Sequence, residues 1–548
     1  MRRAVRCLVL AIAVIAVPAA CNPAADANAA GRRAEAVRRG GTVVIVSSSD
    51  LDQLNSLVSA DRYTQELLRY ALFLPLVRYG PDLDFEPALA RDWELFGDTA
   101  IAFRLRDDVR WQDGERTSAY DVAFTFERAK DPATAFPNAE YFAHWTAVEV
   151  VDSFTVRFRM QPHAEALAGL PFMPIMPKHL LEEVPADGMA RAPFNRAPVG
   201  NGPFRYVDHR ANDRWIFEAN PDFPSDLGQP NVDRIVWRIV PDPTSQVTEL
   251  RTGAAHLALN PRPEHVAEAE ADAFIRPIVR PSRQYSFVGW NLRRPPLDDV
   301  RVRRALGMAI DRQEIIETLR DGIAELAVGP IGPYHWAYDS TLAALPFSVD
   351  SARALLVAAG LADGNSDGVL ELPGGEPFEI SLKFLAGSGL NRDAAEMIAS
   401  DLLDVGVRVR LRPTEWSTLI GDLTGEARNF DSVLMGWEAD FRVNLRGILH
   451  SAERGGPFQF AGYANEEVDR LIDGAARTTD RQHAAVLLRR LQRVVQSEQP
   501  WTFLYYFPDT YLADVRLRGV ETDIRGALVH VTDWWLELGT PLAQERSD

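Results

Sequence analysis

Asp440 closes the run Asp431–Asp440 (DSVLMGWEAD), and Arg442 and Arg446 follow it closely. Phe430–Trp437 has the composition of a strand, so Gly436-Trp437 would end it and deliver the acid into the loop beyond. An acid in that place either meets a ligand or caps a turn. The arginines could hold a ligand carboxylate through paired N–H bonds, or stand solvated in the loop. Nearer the N-terminus, the β-branched run Thr42–Val46 leads into Ser47-Ser48-Ser49-Asp50, a polar turn at a strand's carboxyl end. Ligands of open α/β sheets sit in such places, which makes Ser48 a candidate contact; a plain exposed turn is the other reading.

Catalytic patterns are missing. Ala386-Gly387-Ser388-Gly389 lacks the first glycine of a nucleophile elbow. The ten histidines are scattered singly, with no His-Glu-x-x-His pair. None of the three lysines, Lys130, Lys178 and Lys383, follows a glycine, which rules out a Walker A loop. Any ATP that drives a process here would be bound by another subunit. Asp363-Gly364-Asn365-Ser366-Asp367-Gly368 begins like a calcium loop, but its twelfth position is Gly374 where a glutamate belongs, and Val369–Leu372 reads as a strand. A tight Asx-rich turn is the plain account, and a weak structural calcium site the alternative. No enzyme activity, cofactor or metal site is expected.

A chain of 548 residues with 26 Phe and 12 Trp has core material for two or three domains. The net charge of −18 argues against nucleic acid as a partner and against direct adhesion to anionic lipid. Both cysteines, Cys7 and Cys21, lie near the N-terminus, so the folded body has no disulfide, thiolate metal site or cysteine nucleophile. Arg2, Arg3 and Arg6, then the apolar run Cys7–Val17, then small residues, read as a signal peptide over 1–20, followed by an Ala/Arg-rich tether over 21–40. Pro18-Ala19-Ala20-Cys21 resembles a lipobox, with Cys21 as the lipidated first residue; Ala27-Asn28-Ala29 offers an ordinary cleavage site instead.

The elements that must position the polar residues are legible in periodicity. Ile101, Phe103 and Leu105 alternate as a half-buried strand, Gln112-Asp113-Gly114 makes a turn, and Ser118 and Asp121 open a helix carrying Val122, Phe126 and Ala129. Asp298 or Asp299 caps a helix with Val302, Ala305, Leu306, Ala309 and Ile310 on one face, and Asp311 caps the next, which stops at Gly322. Ser351–Gly360, Asp393–Gly406 and His483–Gln496 read as helices, and Val407–Leu411 and Trp501–Phe507 as strands. This alternation indicates α/β layers.

Three stretches resemble family 5 extracellular solute-binding proteins, the oligopeptide- and dipeptide-type receptors of ABC importers. They are Leu89–Asp131, from Leu-Ala-x-x-Trp-Glu through Val109-x-Trp111-x-Asp113-Gly114 to Ser118-Ala119-x-Asp121-Val122; Pro198-Val199-Gly200-Asn201-Gly202-Pro203-Phe204 with Asn220-Pro221; and Tyr285–Leu306. The resemblance implies a two-lobed periplasmic-binding-protein-like α/β fold of type II with an extra inserted domain. Lobe one would comprise 41–85, 198–283 and 515–542, the insert 86–197 and lobe two 284–514, with crossings near 283 and 515 as the hinge. It implies a small-molecule or peptide ligand, permease partners in the inner membrane, a monomer in the periplasm or at the cell surface, and contact with the membrane only through a lipid anchor. A non-transport sensor, or a receptor for a metal chelate, oligosaccharide or opine, is the alternative.

In this family the acid corresponding to Asp440 lies in the cleft and pairs with a peptide's α-ammonium; an enclosed ammonium needs a carboxylate partner. Here Phe441-Arg442-Val443-Asn444 replaces the usual Tyr-Pro-Asp-Pro. Trp416, Trp437, Tyr285 with Trp290 beside Asn291, and Tyr463 with Asn465 are the remaining candidate cleft residues, each with core packing as its plain alternative. Export and lipidation are directly testable: labelled palmitate enters the wild type and not Cys21→Ser, whereas a mature N-terminus at Ala30 without label contradicts the lipobox.

Overall fold

The structure, a computed structural model, describes residues 39–163, 165–478 and 480–537. The signal peptide, most of the tether, Cys21 and the expected lobe-one residues 538–542 lie outside the described residues.

Eleven strands join in one mixed sheet. From one edge the order is Arg408–Thr414, Glu379–Leu385, Ser432–Glu438, Ile275–Trp290, Trp501–Asp514, Leu257–Leu259, Thr42–Ser47, Arg234–Ile239, Arg214–Ala219 and Phe204–Arg210, and Glu325–Leu326 pairs beside Trp501–Asp514. Ile275–Trp290 and Trp501–Asp514 run antiparallel through both halves of the molecule. Residues 275–281 pair with 508–514 next to Leu257–Leu259, whereas 285–289 pair with 501–506 next to Ser432–Glu438. The register slips between Pro281 and Tyr285, where Pro281 faces Pro508. Neither proline can donate to a ladder, so pairing breaks there. The partner strand Trp501–Asp514 changes neighbours at Tyr506–Pro508 and continues as one strand, apolar and buried along most of its length.

In lobe two, Glu379–Leu385 runs parallel to both its neighbours, and helix Gly389–Asp404 crosses over between parallel strands. Its cap is Ser388, whose Oγ accepts from Asn391 N at 3.2 Å. Strand alternation splits the core across the sheet. Val288, Trp290 and Leu434 pack with helices Val300–Ala309 and Gly389–Asp404, while Tyr285, Phe287, Val433 and Phe503 pack with Glu466–Arg477 and Arg481–Glu498. Asp299 is the cap of the first helix, accepting from Arg301 N at 2.8 Å, and Asp311 the cap of the next, accepting from Glu314 N at 3.0 Å. Val369–Leu372 is not a strand; Glu371 makes only isolated bridges, because the turn beside it takes up the backbone.

The insert is a four-stranded antiparallel sheet in the order Ala90–Phe96, Ala100–Leu105, Thr155–Met160, Trp145–Asp152. Helix Ala119–Lys130 lies across it, with Phe126 edge-on to Phe158 at 5.1 Å. Ser118 N donates to Asp121 Oδ2 at 2.8 Å, closing the capping interaction that the sequence suggests. The Pro198–Phe204 segment ties the insert to lobe one: on the lobe side Asn201 N and Gly202 N donate to Leu72 O at 3.1 and 2.9 Å, and on the insert side Gln112 N donates to Gly200 O at 2.9 Å and Asn201 Nδ2 to Thr117 Oγ1 at 3.2 Å. The approach is so close that a Cβ on Gly202 would stand 2.6 Å from Ala71 O. Gly202→Ala should therefore destabilise the ligand-free protein by about 1–3 kcal/mol through overpacking, read as a lower melting temperature; an unchanged value contradicts the account.

Candidate functional site

Strand Ser432–Glu438 pairs with Gln284–Trp290 and sets Trp437 opposite Tyr285. Beyond it the chain is held by Ala439 N donating to Arg283 O at 2.8 Å, and the loop 439–445 then leaves lobe two. Phe441 seats its ring against Tyr79 of lobe one and Phe172 of the insert, each at 5.3 Å between centroids, with the Arg283 guanidinium over it at 4.3 Å. A second tie runs the other way. Glu165 of the insert accepts from Val443 N at 3.1 Å and from Trp336 Nε1 at 3.3 Å, both in lobe two.

Three adjoining cavities surround this loop. One of about 370 Å³ is lined by Tyr285, Tyr334, Trp437, Asp440, Arg442 and Phe458. A second of about 300 Å³ lies among Glu140, His163, Glu165, Trp336, Arg442 and Leu488. The third, also about 300 Å³, lies between Arg69, Tyr141, Phe172, Arg283, Asp440 and Phe441. Asp440 and Arg442 each face two of them, so lobe one, the insert and lobe two all contribute walls.

The charges in this cleft are only partly matched. The Asp440 carboxylate accepts from its neighbour Phe441 N at 3.1 Å, and among the described residues it has no ion-pair partner. Burial pushes its pKa up to about 7, although Arg442 pulls in the opposite direction. Arg442 itself turns toward the insert, 4.3 Å over the Tyr141 ring and 3.6 Å from Glu140. Glu165 is likewise raised to about 7 by burial, opposed by Arg442 and Arg481. His144 and His163 stack at 4.5 Å, and burial lowers them to about 3 and about 4, so both are neutral at physiological pH. The Tyr285 hydroxyl is buried without a hydrogen-bond partner.

Of the residues singled out in the sequence, Tyr285, Trp437, Asp440 and Arg442 converge here. Asn291 instead donates to Phe430 O at 2.8 Å and accepts from Arg293 N at 3.2 Å, fixing the start of a strand. Tyr463 and Trp290 are core residues. Trp416 opens helix Trp416–Thr424 and is 53% exposed. Ser48 is exposed, while Asp50 beside it accepts from Trp215 Nε1 at 2.7 Å. Arg446 pairs with Asp473 at 2.9 Å and Glu453 at 3.2 Å. Asp363, Asp367 and Glu371 gather their carboxylates within 4.8 Å, but Asp363 already accepts from Ser366 N at 2.6 Å and Gly368 N at 3.0 Å, the bonds of an Asx-rich turn. Arg69, Glu165, Phe172 and Trp336 escaped sequence reasoning, since no spacing links them to Asp440 and only the fold brings them there.

Residues 84–448 match the description of bacterial extracellular solute-binding proteins, family 5. The chain belongs to this family. It is 27% identical over 525 residues to the oligopeptide-binding protein AppA of Bacillus subtilis, covering 94% of this chain and 96% of that one. It is 26% identical over 441 residues to di/tripeptide-binding protein 1 of Pseudomonas aeruginosa, covering 76% and 79% respectively. The structure of B. subtilis AppA in complex with a nonapeptide superimposes with a TM-score of 0.74 at 26% identity, over 91% of this chain and 99% of that one. The two-lobed α/β fold of this family 5 member is thus that of its relatives.

The raised Asp440 pKa has a signed consequence. Below about pH 4 the carboxyl is protonated whether the chain is folded or not; between there and about 7 the unfolded chain ionises first, so the buried acid costs stability progressively as pH rises. Asp440→Asn should therefore leave the melting temperature of the ligand-free protein near wild type at pH 4 and raise it at pH 7.5. An equal difference at both pH values contradicts the burial.

Proposed function

We propose that this protein is the extracytoplasmic receptor of an ABC importer, closing its two lobes around a peptide and presenting it to permease subunits. The observation that carries the reading is Asp440, an acid in the interlobe cleft with no cation paired to it among the described residues. A peptide's α-ammonium supplies that cation, and each group removes the other's desolvation penalty. Tyr285, Trp437, Tyr334 and Phe458 offer ring surfaces to side chains without demanding one sequence. The peptide-binding relatives support the same ligand class.

The pairing break at Pro281–Tyr285 and Tyr506–Pro508 serves as the hinge. Phe441 and Glu165 are contacts of the closed form, and ligand shifts the population toward it by binding that form better. Among the described residues no helix is long and apolar enough to cross a membrane. The protein works as a periplasmic or cell-surface monomer, tethered through Cys21 as a lipoprotein, and it turns over no substrate.

Mass spectrometry of molecules released from gently denatured protein identifies the ligand. Asp440→Ala should weaken peptide binding at least tenfold, about 1.4 kcal/mol, without lowering the melting temperature of the ligand-free protein. N-acetylating the peptide should impose a similar loss on wild type and little more on the variant. Saturating peptide should also reduce the radius of gyration in solution scattering. Normal binding by an Asp440→Ala variant that melts early makes the acid a loop cap and removes the peptide-amine reading.

A further inference from the structure

Arg69 is a buried cation with no carboxylate in ion-pair contact among the described residues. It sits in the segment Leu68–Leu72, where Phe73 N reaches back to Leu68 O at 2.8 Å in a π-helical turn, a distortion of the kind that recurs at functional sites. The residue is 7% exposed, its Nε has no hydrogen-bond partner, and among the described residues no carboxylate lies within ion-pair distance. Its neighbours are rings: Phe172 lies 4.4 Å from the guanidinium carbon and Tyr70 5.5 Å, and the Tyr70 hydroxyl is neutral, its pKa raised by burial.

Other buried arginines are compensated. Arg516 pairs with Asp514 at 2.6 Å, Arg525 with Asp523 at 2.5 Å and Arg280 with Asp509 at 2.8 Å. Arg303 and Arg312 direct their N–H groups at backbone carbonyls. The acid one turn before Arg69 is already committed: Glu66 accepts from Ala527 N at 2.7 Å and lies 3.4 Å from Arg62. The other cleft arginines are occupied too, Arg283 by Glu438 at 2.5 Å and Arg442 by Glu140 at 3.6 Å. Asp440 acts on Arg69 through space without forming an ion pair with it, so an anion that joins the guanidinium on binding still adds a direct partner.

Its position relative to Asp440 says which anion. Both residues line the same compartment of about 300 Å³, and Phe172 and Phe441, 5.3 Å apart between ring centroids, line it too. Such a volume is at the small end of ligand sites, about 300–1,000 Å³. A ligand that satisfies both walls carries an ammonium and a carboxylate a short distance apart. We propose that Arg69 binds a carboxylate of the peptide whose amine meets Asp440, so that the cleft selects short zwitterionic peptides. This rests on the peptide reading and adds the second charge to it. Of the arginines that line this compartment, Arg62, Arg283 and Arg525 are paired with acids, which leaves Arg69, among the described residues, as the lining cation available to bind a carboxylate bidentately.

The test uses calorimetry at pH 7.5 with di- and tripeptides of alanine and leucine, each as the free acid and the C-terminal amide. Wild type should prefer the acid at least tenfold. Arg69→Met, which keeps the side chain's length over Phe172, should lose that preference, binding the acid as weakly as wild type binds the amide; Arg69→Lys should restore part of it. A role confined to stacking on Phe172 would lower the melting temperature and leave the acid-to-amide ratio unchanged, which overturns the proposal. A C-terminally amidated peptide bearing one internal glutamate identifies the source: regained affinity in wild type and not in Arg69→Met assigns the site to a side-chain carboxylate, and no regain assigns it to the C-terminus. If Asp440→Ala weakens binding and Arg69→Met does not, Arg69 is excluded while the peptide reading stands. If wild type binds neither form, both fall together.

Discussion

One antiparallel strand pair runs through both halves of this molecule and holds them together. Ile275–Trp290 and Trp501–Asp514 belong to both lobes, and their ladder is interrupted where Pro281 faces Pro508. On either side of that interruption backbone hydrogen bonds lock the strands into separately packed cores. Within it, two imino nitrogens leave nothing to donate. The interruption is thus the place where the two strands pass from one set of packed cores to the other.

The cleft works by placing ionisable groups where water would otherwise solvate them. Asp440 and Glu165 are both raised to about 7 by burial, and they differ in what answers the penalty. Glu165 is met by two donors from lobe two, Val443 N and Trp336 Nε1. Asp440 receives one N–H from its own loop and has no ion-pair partner among the described residues. Arg69 lies over Phe172 in the same compartment, while Arg442 is drawn toward Tyr141 and Glu140. A low dielectric strengthens matched charges and penalises unmatched ones, so the pairing of each ionisable group in this cleft weighs more than it would in water.

Apolar contacts set the geometry in which those charges act. Phe441 stacks against Tyr79 and Phe172, and the loop that carries Asp440 is anchored by this ring more than by any bond of the acid itself. The departure from the family's Tyr-Pro-Asp-Pro pattern after the acid thus has a structural outcome: Phe441 spans the lobes, and Arg442 engages the insert.

What the sequence determined by itself was local. Strand Ala100–Leu105 follows from alternating Ile101, Phe103 and Leu105, all buried on one face, and the helix after it from Ser118 and Asp121, because caps and periodicity depend on residues a few positions apart. The acid at a strand's end was legible for the same reason, and the motifs around Leu89–Asp131 and Pro198–Phe204 carried the family. Tertiary structure decided which residues meet. Asn291 and Tyr463 look like cleft residues in the chain and serve the core, whereas Arg69, Glu165 and Trp336, far apart in sequence, line the cleft around Asp440. Burial and charge compensation arise only when distant segments exclude water together, and no spacing along one chain records which of them will do so.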